Sequence, residues 1–156
     1  MRDFSDLNIN ERGKHVERRP PSDEVIRAFQ TQFNVRLPAE YLALLRHSNG
    51  GHPECDSIEV PGKPGAKWAV NRFYFLNEDK VSTDSLWVAT EKWQKILWKD
   101  AFPFAADGGG NQFFFDLKIT PASVKVCVHD QNFTRVDLAT SFQTFIDKLA
   151  VDPDMI

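Results

Sequence analysis

The chain is short of cysteine, of long apolar runs and of net charge, and each shortage removes a class of protein. Its two cysteines, Cys55 and Cys127, lie far apart. That is too few for the disulfide framework of small secreted domains, so both are expected as free thiols in a reducing compartment. No stretch approaches the roughly 18 consecutive apolar residues that would cross a bilayer. The opening Arg2-Asp3-Phe4-Ser5-Asp6 lacks the apolar core of a secretory signal. The expected location is therefore cytoplasmic, with no membrane partner. A formal net charge of −3 speaks against a protein that grips nucleic acid by its phosphates. Repeats and low-complexity tracts are absent, which favours one domain, and 156 residues can bury roughly 70% of the surface of the unfolded chain.

Aromatic side chains are what the sequence has in quantity. Thirteen Phe and four Trp supply core volume and candidate interface anchors. The acidic excess falls in residues 37–156, which would hasten association with a basic partner.

Residues 1–21 are polar, arginine-rich and end in Pro20-Pro21, which reads as an N-terminal arm preceding a single domain over 22–156. Ser22-Asp23-Glu24 supplies a cap and two carboxylates for a helix that carries Val25, Ile26, Phe29 and Phe33 at helical spacing. A second helix opens at Leu37-Pro38, buries Tyr41, Leu44 and Leu45, and stops at Asn49-Gly50-Gly51. The short link predicts a helical hairpin packed on something larger. Residues 52–67 read as a long loop holding a short strand at 57–60, and 69–76 as one eight-residue strand. A middle helix over 82–97 places Leu86, Trp93 and Leu97 on one stripe. Trp87, Glu91 and Trp98 fall on a neighbouring stripe, expected to stay partly exposed. Strands at 102–106, 112–117, 124–129 and 134–138, joined by short turns, predict an antiparallel sheet, and 141–150 a closing helix. The expected fold is α+β: a mainly antiparallel sheet of five to six strands with the helical hairpin, a middle helix and a C-terminal helix packed on it.

Leu37-Pro38, Tyr41 and the Asn49-Gly50-Gly51 stop resemble the N-terminal signature of the SUKH superfamily, which includes yeast cell-wall synthesis regulators and bacterial immunity proteins. The stretch from Phe102 to Asp116, with Asp107-Gly108-Gly109-Gly110-Asn111 at its centre, resembles the most characteristic segment of that superfamily. Val126 to His129 and the Ser141 to Leu149 helix resemble its closing elements. The resemblance implies an α+β fold and, in bacteria, neutralisation of a cognate toxin by binding its toxin domain. It brings no catalytic residue and no cofactor. A regulatory scaffold in signalling or cell-wall control is the alternative it allows, and an enzyme or small-ligand receptor is the third.

Several residues invite chemistry. The Asp107 to Asn111 turn has the glycine content of a phosphate cradle, but a strand follows it, so a structural hairpin with glycines at positive φ is the preferred reading. Cys127 and His129 share a strand face two residues apart, roughly 6–7 Å, too far for a base to activate a thiol directly. His47, His52 and Cys55 lack the paired spacing of a zinc site, and no metal is expected. For a partner face, the expectation is aromatic anchors Trp87 and Trp98 ringed by carboxylates, among them Glu54, Asp56, Asp84 and Glu91.

Overall fold

The computed structural model describes residues 2–152. Its main frame is an antiparallel five-stranded sheet in the order β3-β4-β5-β6-β7, formed by Arg72–Phe73, Ala101–Ala106, Gln112–Asp116, Ser123–Val128 and Thr134–Ala139. β1 (Ser57–Glu59) and β2 (Lys67–Ala69) pair separately as a two-stranded sheet. The fold is thus α+β, with helices α1 (Asp23–Phe33), α2 (Ala39–His47), α3 (Leu86–Leu97) and α4 (Phe142–Lys148).

Strand alternation assigns the aromatic residues to two layers. Phe102, Phe104, Phe113 and Phe115 face one way and meet Tyr41, Phe142 and Phe145. All seven are at most 2% exposed, and ring centroids approach to 4.5 Å between Phe104 and Phe115. Phe114 faces the other way and joins Ala101, Cys127, Trp93 and Leu97 in a smaller cluster under α3. The two N-terminal helices divide between partners. Phe29 of α1 meets Trp87 of α3 edge-on at 5.3 Å, while Tyr41 of α2 meets Phe142 of α4 at 5.7 Å.

The capping residues behave as their chemistry dictates. Ser22, Ser85 and Ser141 each accept a backbone N–H from the first turn of α1, α3 and α4. α3 begins later than its periodicity suggests, at Leu86 rather than Ser82. Asp79 takes the N–H groups of Val81 and Ser82 and the Ser82 hydroxyl, so a side-chain-closed turn replaces the first helical turn. These bonds hold the Asp79 carboxyl below its ordinary range, the Ser82 hydroxyl contributing most.

The single strand expected over 69–76 is broken into pieces, because its backbone partners change along the way. Val70 N–H bonds Asp56 O beside the small sheet, Asn71 N–H bonds Ala106 O of the large one, and Phe75 N–H bonds Asp84 O in a loop. Leu76 N–H then bonds the side chain of Asn49. These N–H groups all find acceptors without one continuous ladder.

Residues 2–20 are packed against the body. Phe4–Leu7 form a 3₁₀ turn with Leu7 fully buried, and Asn10 and His52 exchange backbone N–H···O bonds at 2.8 Å each. Val16 is buried, and the Arg18 guanidinium lies 4.6 Å from the centre of the Phe75 ring while its Nε donates to Asn49 O. Isolated apolar residues of this kind show no period, so the sequence carried no sign of the attachment.

Candidate functional site

The Asp107 turn joins β4 to β5 and satisfies itself. Asp107 Oδ1 accepts the N–H of Gly109 (2.9 Å) and of Asn111 (2.8 Å), and Oδ2 accepts the Asn111 side-chain amide (2.8 Å). Asn111 Oδ1 then accepts His129 N–H at 3.0 Å, and the His129 ring nitrogen Nε2 lies 2.5 Å from Gly109 O. The turn is thereby bolted to the end of β6. Gly110 alone of its three glycines has positive φ, at 95°. Gly108 and Gly109 do not, which corrects the expectation that all three supply left-handed backbone. The N–H groups of Gly109 and Asn111, which a phosphate cradle would offer to a ligand, are already taken by the Asp107 carboxylate.

Cys127 and His129 do not form a reactive pair. The Cys127 thiol is buried, points to Phe133 O, and is pushed above its ordinary pKa by desolvation, whereas a nucleophilic cysteine needs that value lowered. The other suggested cluster also disperses: the His47 ring lies 5.9 Å from that of Phe4, His52 Nδ1 sits 2.6 Å from Asn71 O, and the Cys55 thiol donates to Asp6 O. Among the described residues no group of three His, Cys, Asp or Glu could hold a metal ion.

At the far end of β5, Asp116 Oδ2 lies 2.9 Å from Lys125 Nζ, and its Oδ1 accepts Lys118 N–H. Burial, the largest single influence, pushes the carboxyl up. The Lys125 and Lys118 hydrogen bonds together with both ammonium charges outweigh it and hold the carboxyl below 3.8. A lowered folded-state value means that the contribution of Asp116 is complete above the unfolded value and is lost as pH falls through the folded one. Lys125→Met is therefore expected to raise the Asp116 titration midpoint of the folded protein, read by NMR of its carboxyl carbon. An unchanged midpoint would remove Lys125 from the account.

The expected partner residues do not converge. Trp87, read as part of an exposed flank, is only 6% exposed: α1 covers it with Phe29 and Phe33, and its Nε1 donates to Asn77 O at 2.8 Å. Asp84 pairs with Arg72 beside a cleft of about 870 Å³ lined by residues of both charge signs, including Glu11, Glu17, Arg12 and Arg18. Glu54 accepts a bond from Asn8, and Asp56 lies beside Ser57 at the small sheet. Glu91 stays exposed on α3.

Trp98 remains outside, 62% exposed, because α3 ends at Leu97 and a φ of 78° turns the chain away from the helical path. Two residues absent from the sequence-based set share this end of α3. The Phe133 ring, 43% exposed, lies edge-on to Trp93 at 6.1 Å, and Arg135 Nη2 donates to Ile96 O at 3.1 Å. The available signal was Phe133 itself, an aromatic residue in a turn where glycine or asparagine is usual.

No helix among the described residues is long and apolar enough to cross a membrane. Residues 20–148 match the model of the SMI1 / KNR4 family (SUKH-1). No curated protein matches the chain.

Proposed function

Because the chain belongs to the SMI1 / KNR4 family, SUKH-1, we propose that it is an immunity protein that binds a cognate bacterial toxin domain and neutralises it by protein–protein contact. SUKH-1 is not a known enzyme family, and one structural observation carries the reading from family to mode of action. The groups that looked chemical are tied up in structural bonds: Asp107 and Asn111 with their own turn and His129, and Cys127 in the core. Exposed aromatic rings at the end of α3 are instead the currency of recognition, since buried aromatic and arginine anchors carry much of the energy of a protein interface. An interface of ordinary size, about 1,600 Å² in total, would cover or distort a toxin active site.

Co-expression with the toxin domain encoded beside its gene is the test. Cells making both proteins are expected to grow where cells making the toxin alone do not, and the two are expected to co-purify in fixed stoichiometry. Growth arrest in the presence of the chain, with no complex recovered, would refute the reading.

A further inference from the structure

We propose that the outer edge of β7 is an interface for a second copy of this chain. Two β7 strands pair antiparallel about a twofold axis at Val136 and join two five-stranded sheets into one. Such pairing is independent of what the chain recognises, so it goes beyond the immunity reading without resting on it.

The five-stranded sheet has two edges, and they are finished differently. At the β3 edge, Phe73 exchanges backbone N–H···O bonds with Gly51, and Phe75 N–H bonds Asp84 O. β7 stands at the other edge, and no strand or isolated bridge covers its outer side among the described residues. Which of its backbone groups face outward follows from alternation along β6. His129 N–H points to the β5 side, where it bonds the Asn111 side chain, so Val128 and Val126 point to β7. Their partners Thr134 and Val136 face inward. The N–H and C=O of Arg135 and Asp137 are left facing out, where they offer a template for another strand.

Side-chain chemistry selects the occupant. Arg135 and Asp137 are the charged residues of β7, and both are exposed, the Asp137 side chain by 87%. Two positions apart, they lie on one face of the sheet. An antiparallel strand must set an acid opposite Arg135 and a base opposite Asp137, because like charges directly opposite oppose pairing. A second β7 meets both demands when the axis passes through Val136. Arg135 of each copy then faces Asp137 of the other, and each such pair exchanges both of its backbone bonds. With the axis at Arg135 or at Asp137 instead, like charges meet. On the opposite face Val136, partly buried against the core, meets its own copy as a β-branched cross-strand pair.

The charged groups nearest the strand leave these pairs free to form. Lys125 lies 2.9 Å from Asp116 and 3.5 Å from Asp137, so Asp116 keeps it when Asp137 turns to the second copy. Arg135 Nη2 donates to Ile96 O, and a guanidinium has five N–H donors, which leaves others for a carboxylate. Asp130 belongs to the turn before β7, and Lys148 reaches Leu138 O from α4. Both lie outside the stretch from Arg135 to Asp137.

Sedimentation velocity of the full chain over about a hundredfold range of concentration is the experiment. The wild type is expected to pass from monomer to dimer. Arg135→Asp alone sets acid against acid and Asp137→Arg alone sets base against base, so each is expected to raise the dimer dissociation constant at least about tenfold. Mixed in equal amounts, the two variants present acid to base at both pairs, and a heterodimer is expected to form. That rescue separates pairing from damage to the fold, since loss of the Arg135 bond to Ile96 would not be repaired by the other variant. A wild type that stays monomeric throughout would overturn the interface, as would a dimer that neither single variant weakens. Variants with wild-type circular dichroism that lose the dimer and do not recover it on mixing would overturn the register at Val136. A monomeric wild type whose capture of the toxin domain encoded beside its gene is weakened by Arg135→Asp would give the edge to a partner's strand and overturn the second copy.

Discussion

Asn49→Asp is expected to lower the stability of the folded chain by about 3–5 kcal/mol, the usual cost of leaving a buried charge or polar set without partners. Asn49 is 1% exposed. Its side-chain amide donates to Arg19 O and Leu76 O, each at 2.8 Å, and its Oδ1 accepts Leu76 N–H at 2.8 Å. One side chain therefore ties together the end of the N-terminal segment, the corner after α2 and the chain leaving β3. An aspartate keeps the acceptor but turns a second oxygen toward two carbonyls. It must either ionise in a buried site or protonate and satisfy only one of them. Because domains of this kind are stable by about 5–15 kcal/mol, the variant loses a large share of the total. Urea denaturation monitored by tryptophan fluorescence is the measurement, with the midpoint falling at constant slope. A loss under about 1 kcal/mol would mean that water or backbone movement replaces the amide.

Gly50→Ala is expected to cost about 2–4 kcal/mol, the sum of left-handed backbone strain and overpacking. Gly50 has φ of 84°, and an added Cβ would meet Phe75 Cβ at 2.9 Å and Phe73 O at 3.2 Å. Neither neighbour is the free end of a flexible side chain, so the sheet edge itself must move. The neighbouring Gly51 is confined by Ile9 and Val16 of the N-terminal segment, and its N–H and C=O bond Phe73. The Asn-Gly-Gly stop of α2 thus does more than end a helix: it is the seam where the N-terminal segment, α2 and β3 meet. Near-wild-type stability of Gly50→Ala in the same urea experiment would show that the seam can open without loss.

Much of the frame was legible because it rests on local rules. Ser22 before Val25, Ile26 and Phe29 announced α1, and four alternating strands with short turns announced β4 to β7. The hairpin at Asp107 and the match over residues 20–148 are local signals of the same kind. Periodicity misjudged what depended on distant neighbours. The stripe of Trp87, Glu91 and Trp98 was a sound reading of an isolated helix. Yet α1 arrives to bury Trp87, and the helix ends before Trp98 can share its flank. The run over 69–76 had strand composition throughout, but its N–H groups find their acceptors in different parts of the molecule.

By itself the sequence determined the α+β class, the order of most elements, the self-bonded turn at Asp107 and the family. These depend on side-chain period, capping and turn residues, which act within a few positions of one another. Tertiary structure alone decided which tryptophan stays outside and where residues 2–20 attach. Burial and local charge are set by whatever the fold lays alongside a residue. Here that is Phe29 against Trp87 and Arg135 against Ile96, pairs brought together from segments far apart in the chain.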